Sequence, residues 1–209
     1  MDIAILTYDK MTALDAVGPY EILSRWPDTR LRFVAERAGP VRTDTRALTL
    51  VAEASLEEVD EPDLVLVPGG PGDRAVRDRL EVLAWLRHCH ERTRFTMSVC
   101  TGSLILAAAG LLQGQQATTH WTRMDVLAEL GAVPVSERWV RAGRVWTAAG
   151  VSAGIDLALA LTAEVVGDTF AQALQLGIEY DPAPPFDAGS PARAPGPVVD
   201  LVRASMARS

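Results

Sequence analysis

Apolar runs of strand length alternate with stretches of helical periodicity along most of this chain. "DIAILTY" (2–8), "RLRFVAE" (30–36), "DLVLVPGG" (63–70) and the segment 94–100, which ends in "SVC", read as strands. The segments 14–26 ("LDAVGPYEILSRW"), 80–92 and 102–112 carry apolar residues at helical spacing, the last closed by Gly114 just past its end. Residues 38–59 predict a small β excursion that turns around Thr43 and Asp44. In the second half, 117–120 ("ATTH") reads as a short strand and 122–130 as a helix ended by Gly131. Strands around a turn at Ala142 and Gly143 span 133–150, and Ser152 is placed to cap the long apolar helix that follows. A Pro/Gly-rich surface segment, 181–197, leads to a short terminal helix over 198–207.

Strands alternating with helices predict an α/β fold, a mainly parallel sheet covered by helices on both faces. In such sheets ligands bind beyond the carboxyl ends of the strands. Three features meet there: the turn after the first strand, the "PGG" at 68–70, and "SVCTG" at 98–102.

Composition narrows the chemistry. At 209 residues, 48% hydrophobic and 22% charged, the chain reads as one ordinary globular domain. A net charge of −7 with no basic block argues against nucleic-acid binding. The N-terminus predicts neither a leader nor a membrane span, which points to the cytoplasm. Two cysteines, Cys89 and Cys100, make no disulfide framework and are too few for a structural zinc site. Lys10, the single lysine, sits in a polar turn and is a poor Schiff-base candidate.

Cys100 carries the chemical signal. A cysteine at a tight strand-to-helix turn has its sulfur near the next helix's N-terminus, where amide N–H groups and the helix dipole favour an anion. The thiol pKa is therefore expected to fall. The amides of Thr101, Gly69 and Gly70 are expected to face an anion forming on a bound substrate. Asp15, after the first strand, lies on the same rim, and its carboxyl is either a proton carrier or a helix-start cap. Glu21 is a weaker candidate, further along that helix. His120 reads either as a general base for Cys100 or as a histidine satisfied by its neighbours. In "RHCHER", His88, Cys89 and His90 point apart, so this stretch reads as a solvated helix face rather than a metal site.

Taken together, "LDAVGPYE", "VPGG", "SVCTGSLILAAAGLL", "ATTHW", "TAAGVSAGIDLAL" and "IEYDPAPPFDAGSP" cover nearly the whole chain in order. They resemble the isonitrile (isocyanide) hydratases of the ThiJ/PfpI superfamily. The resemblance implies a flavodoxin-like three-layer sandwich, a homodimer, and conversion of R–N≡C to an N-substituted formamide without a cofactor. It assigns Cys100 as nucleophile and Asp15 as general acid/base, with no metal. Thr101, Gly69, Gly70 and Gly150 are the expected substrate- and oxyanion-binding set. The superfamily's proteases have a histidine directly after the cysteine; Thr101 in its place counts against peptidase activity. The corresponding helix start in the hydratases is richer in glycine, so Ala148 and Ala149 are expected to narrow the pocket. That pocket is expected to be apolar, since an isonitrile offers little to hydrogen-bond. The alternatives are a non-catalytic binding module of the same fold and a cysteine amidase or peptidase-like hydrolase. A DNA-binding domain is not expected in the few residues after the Pro-rich segment.

Overall fold

Seven strands form the central sheet of the computed structural model, which describes residues 1–206. The first half of the chain builds β1 (Asp2–Leu6), α1 (Ala13–Leu23), β2 (Arg30–Ala35), β3 (Gly39–Arg42), β4 (Thr49–Ala52), β5 (Ala54–Ser55) and β6 (Leu64–Val67). Next come α2 (Asp73–Arg77), α3 (Leu80–Arg92), β7 (Phe95–Val99), α4 (Gly102–Ala108), β8 (Gln116–Ala117), α5 (Met124–Glu129) and β9 (Val133–Pro134). The chain continues with β10 (Trp139–Ala142), β11 (Val145–Ala148), α6 (Ala153–Val165), α7 (Asp168–Gly177) and α8 (Gly196–Met206).

The sheet order is β10-β11-β7-β6-β1-β2-β5, parallel except for the β10–β11 hairpin at one edge. Its parallel strands β2-β1-β6-β7-β11 follow the flavodoxin-like order, with the winding reversed between β1 and β6. The crevice outside the carboxyl ends of these strands is where such sheets take ligands.

Both faces of the sheet are buried, which is why its central strands read as continuous apolar runs. Ile3 and Ile5 of β1, Leu66 of β6 and Met97 of β7 face a core completed by α1, α6 and α7. Ala4 and Leu6 of β1 and Val65 and Val67 of β6 face the opposite core, completed by α3, α4 and α5. Each buried Leu or Ile contributes roughly 1.5–3 kcal/mol relative to leaving it in water.

Several elements differ from the sequence reading. The helix expected over 102–112 stops at Ala108, because Gly110 already adopts a left-handed φ of 81°. The strand expected over 117–120 is only Gln116–Ala117; the Thr118 amide leaves the ladder and donates to the Thr147 hydroxyl. Ser152 occupies the helix-start position but makes no cap bond, its hydroxyl accepting instead from Arg138 at 3.1 Å. The sequence reading assigns no helix to α2 or α7. From Asp181 the chain is irregular and exposed as expected, while α8 begins earlier than 198; residue 207 of that expected helix lies outside the described residues. Among the described residues, no helix is long and apolar enough to cross a membrane.

Candidate active site

The residue after β7 is Cys100, with φ of 56°. An L side chain avoids this left-handed region, at a cost of roughly 1–2 kcal/mol, so neighbours must hold it there. The Cys100 N–H donates to the carbonyls of Ala148 and Ala149 at 3.1 and 3.0 Å. Its carbonyl accepts from the Ser103 hydroxyl at 3.2 Å and the Thr119 hydroxyl at 3.0 Å. Gly102 completes the turn: a Cβ there would lie 2.0 Å from the Val67 carbonyl oxygen, so only glycine lets α4 leave so close to the end of β6.

Asp15 comes to the cysteine from the other side. The start of α1 is tied to the loop after β6 in both directions, Thr12 N–H donating to the Gly69 carbonyl at 2.8 Å and Gly69 N–H to Asp15 Oδ2 at 2.9 Å. Asp15 therefore does not cap its own helix. Its side chain is fully buried, and no donor among the described residues reaches Oδ1 in hydrogen-bonding geometry. Burial pushes the carboxyl up to about 7, against the opposing effects of the Gly69 amide and the adjacent Cys100 side chain. A buried carboxyl that titrates near neutrality suits proton transfer in both directions.

The glycines expected to face a substrate anion have nearer partners. Gly69 N–H holds Asp15, and Gly70 N–H donates to the Thr101 hydroxyl at 2.9 Å. A Cβ on Gly69 would lie 2.4 Å from the Thr101 amide nitrogen, so this crossing of β6 and β7 loops also requires glycine. Tyr8 braces the loop by donating to the Pro68 carbonyl at 2.8 Å. The amides that favour a Cys100 anion are those of Thr101 and Val151. Val151, at the turn into α6 with φ of 40°, has no side-chain signal that marks it in the sequence.

The expected fall in the Cys100 pKa is overturned. Burial first, and the Asp15 charge second, push the thiol well above its ordinary value, outweighing the Thr101 and Val151 amides. Sulfur and carboxyl face each other in a water-poor site, so one negative charge excludes a second.

Cys100 lines a cavity of about 580 Å³ together with Thr101, Gly70, Val151, Leu104 and His120. Asp15 and Gly69 sit behind that wall rather than in it. The pocket, expected to be apolar, is mixed: Leu104, Val126, Val151 and Met206 give it apolar surface, while Asp44, Asp73, Arg74, Arg77 and Arg123 share the lining. Neither Ala148 nor Ala149 lines it, Ala148 being fully buried in the core. Gly150 supports the cavity indirectly, since a Cβ there would lie 2.6 Å from Cδ2 of His120. His120 Nδ1 is paired with the Thr122 hydroxyl at 2.8 Å. Burial and then Arg123 depress its pKa, so the ring is neutral.

The remaining candidates lie elsewhere. Glu21 pairs with Arg25 at 2.7 Å on the surface. Cys89 is not on a solvated face but fully buried, because it falls on the same stripe of α3 as Val82 and Leu86. Burial and then Asp60 push its thiol up to about 12. Among the described residues no His, Cys, Asp and Glu side chains gather into a metal-holding group. A second opening of about 610 Å³, lined by Glu36, Arg37 and Arg79 beyond β1 and β2, has no cysteine, serine, lysine or histidine in its lining.

Over all 209 residues the chain is 44% identical to the isonitrile hydratase of Pseudomonas putida, covering 91% of that protein. The solved structure of a ThiJ/PfpI family protein from Pseudomonas syringae matches with a TM-score of 0.96 at 39% identity, covering 99% of this chain and 86% of the other. The HTH-type transcriptional regulator CdhR of Pseudomonas aeruginosa is 31% identical over 78% of this chain, which spans only 49% of the regulator. Residues 1–164 match the DJ-1/PfpI family, a stretch that takes in the first strand, the Asp15 helix and the whole Cys100 turn. Sheet order, turn and sequence agree, and the chain belongs to the DJ-1/PfpI family.

Proposed function

We propose that this protein hydrates isonitriles to N-substituted formamides, with Cys100 as nucleophile and Asp15 as proton carrier. The observation that carries the reading is the buried Cys100–Asp15 pair at the strand ends, in a chain 44% identical throughout to an isonitrile hydratase.

In the resting site the thiol holds its proton and Asp15 titrates near neutrality. The Asp15 carboxylate takes the thiol proton as sulfur attacks the terminal carbon of R–N≡C, and the Thr101 and Val151 amides favour the sulfur's developing charge. Asp15 then gives the proton to that carbon, leaving the thioimidate R–N=CH–S–Cys100. Water adds across the C=N bond with Asp15 as base, forming R–NH–CH(OH)–S–Cys100. The C–S bond breaks, sulfur recovers a proton by way of Asp15, and R–NH–CHO leaves. The net reaction adds one water and regenerates the enzyme. Gly69 and Gly70 serve by fixing Asp15 and Thr101, and Gly150 by leaving room for His120.

Incubation with a simple isonitrile should yield the formamide, and Cys100→Ser should abolish it, since a hydroxyl has no comparable anionic form near neutral pH. Full turnover by Cys100→Ser rules out the covalent route. No formamide from several isonitriles favours a binding module. We also infer a homodimer, supported by the similarity and by Leu176, Phe186 and Leu201, which leave apolar area exposed on α7, the Pro-rich segment and α8. A monomer mass in light scattering across working concentrations rejects it.

A further inference from the structure

The cavity above Cys100 has a guanidinium-rich wall: Arg74 and Arg77 project from α2, and Arg123 from the turn that opens α5. Each guanidinium has five N–H donors and no acceptor. Arg74 is exposed and makes no hydrogen bond or ion pair among the described residues. Arg77 Nε lies 3.1 Å from Asp73 Oδ2, yet both atoms are buried and neither reaches hydrogen-bonding geometry. Arg123 uses Nη2 on the Met206 carbonyl at 2.8 Å.

The carboxylates on the wall do not absorb this surplus. Asp44 already accepts from the Thr12 hydroxyl and the Thr45 amide, each at 2.8 Å. Asp73 is shared between Arg77 and Arg123, so three guanidiniums face two carboxylates. His120 is neutral and adds no donor charge of its own. A purely hydrocarbon substituent would meet Leu104, Val126, Val151 and Met206 but would give the guanidinium donors nothing in return for the water it displaced from them. A planar oxyanion matches them, because guanidinium donors are set at the spacing of carboxylate oxygens.

We propose that the substrate carries an anionic group, a carboxylate in the simplest case, on the substituent attached to its isonitrile nitrogen, and that Arg74, Arg77 and Arg123 receive it. This rests on the hydration reading and adds to it the class of substrate. The isonitrile carbon lies at Cys100 and the carboxylate on the arginine wall of the same cavity.

Isocyanoacetate and its methyl ester test the claim, since they differ in charge but share the reacting group. The acid should be favoured in kcat/KM by roughly tenfold or more, the effect of a charge-assisted hydrogen bond. Added salt should narrow the gap, and Arg74→Gln, at an exposed position, should lower the acid-to-ester ratio by a similar factor. An ester turned over as well as the acid overturns the proposal. Calorimetric titration with N-formylglycine, the product of the acid, and with its methyl ester reads the same wall without chemistry. Acid-selective binding with no turnover of either isonitrile keeps the anion site and removes the hydration reading. Equal binding of acid and ester overturns the anion site whatever the turnover.

Discussion

The Gly69 amide donates to Oδ2 of Asp15 at 2.9 Å inside the protein, and among the described residues it is the one backbone donor to that carboxyl. One hydrogen bond does not compensate a carboxylate for the loss of water, so the carboxyl titrates at about 7 rather than 3.8. Between those values the folded state holds a proton that the unfolded chain has released. Stability is therefore intact below about pH 4 and falls as pH rises toward about 7, by about 4 kcal/mol at most. Asp15→Asn keeps an acceptor for the Gly69 amide and removes this dependence. Melting temperatures at pH 5 and pH 8 should show the variant losing less than the wild type and standing above it at pH 8. Equal losses would place the titration elsewhere.

Activity should follow the same group with the opposite sign. The first step needs Asp15 as carboxylate, so kcat/KM should climb with pH through about 7. No descending limb should appear up to about pH 9, because the Cys100 thiol gives up its own proton only well above its ordinary range. A bell-shaped profile centred near neutrality would require another titrating group in the cycle.

Removing the carboxylate should make the cysteine more reactive even as it removes turnover. The Asp15 charge is the second-largest effect holding the thiol protonated, after burial. Iodoacetamide should therefore alkylate Cys100 in Asp15→Asn faster than in the wild type at the same pH, by tenfold or so for each pH unit the thiol falls. Mass mapping should find Cys89 unlabelled in the folded protein, since it is sealed in the core while Cys100 opens on the cavity.

Two glycine substitutions separate tight packing from open space. Gly102→Ala would drive a methyl group to 2.0 Å from the Val67 oxygen and should destabilise the protein by roughly 1–3 kcal/mol or more, with loss of activity. Gly177→Ala meets nothing within 4 Å at the end of α7 and should be neutral, or stabilising by up to about 1 kcal/mol. Urea midpoints of the two variants check both signs.

The sheet was legible in the sequence because burial on both faces leaves long apolar runs, and β1, β6 and β7 fall inside the predicted strands. Cys100 and Asp15 were legible because parallel strands place their trailing loops on one rim. The electrostatics were not. A helix start suggests a lowered thiol pKa, but it says nothing of how deeply the sulfur is buried or that an unneutralised carboxylate adjoins it. Val151 contributes through its amide, which its side chain cannot advertise. Arg74 and Arg77 of the wall hide in "PGDRAVRDRL", a charge-rich stretch that resembles any solvated surface until α2 folds over the cavity. Cys89 was misread because charged neighbours masked its spacing from Val82 and Leu86.

The left-handed backbone at Cys100 has a consequence for the protein as an evolved object. Glycine adopts that conformation freely, and a chain shaped by folding alone would place one there. Comparing Cys100→Gly with Cys100→Ala, both without sulfur, isolates the conformational part, and the glycine variant should unfold at the higher temperature. The cysteine is thus a standing handicap to the fold, one that a stability-guided redesign would erase together with the thiol that faces the cavity.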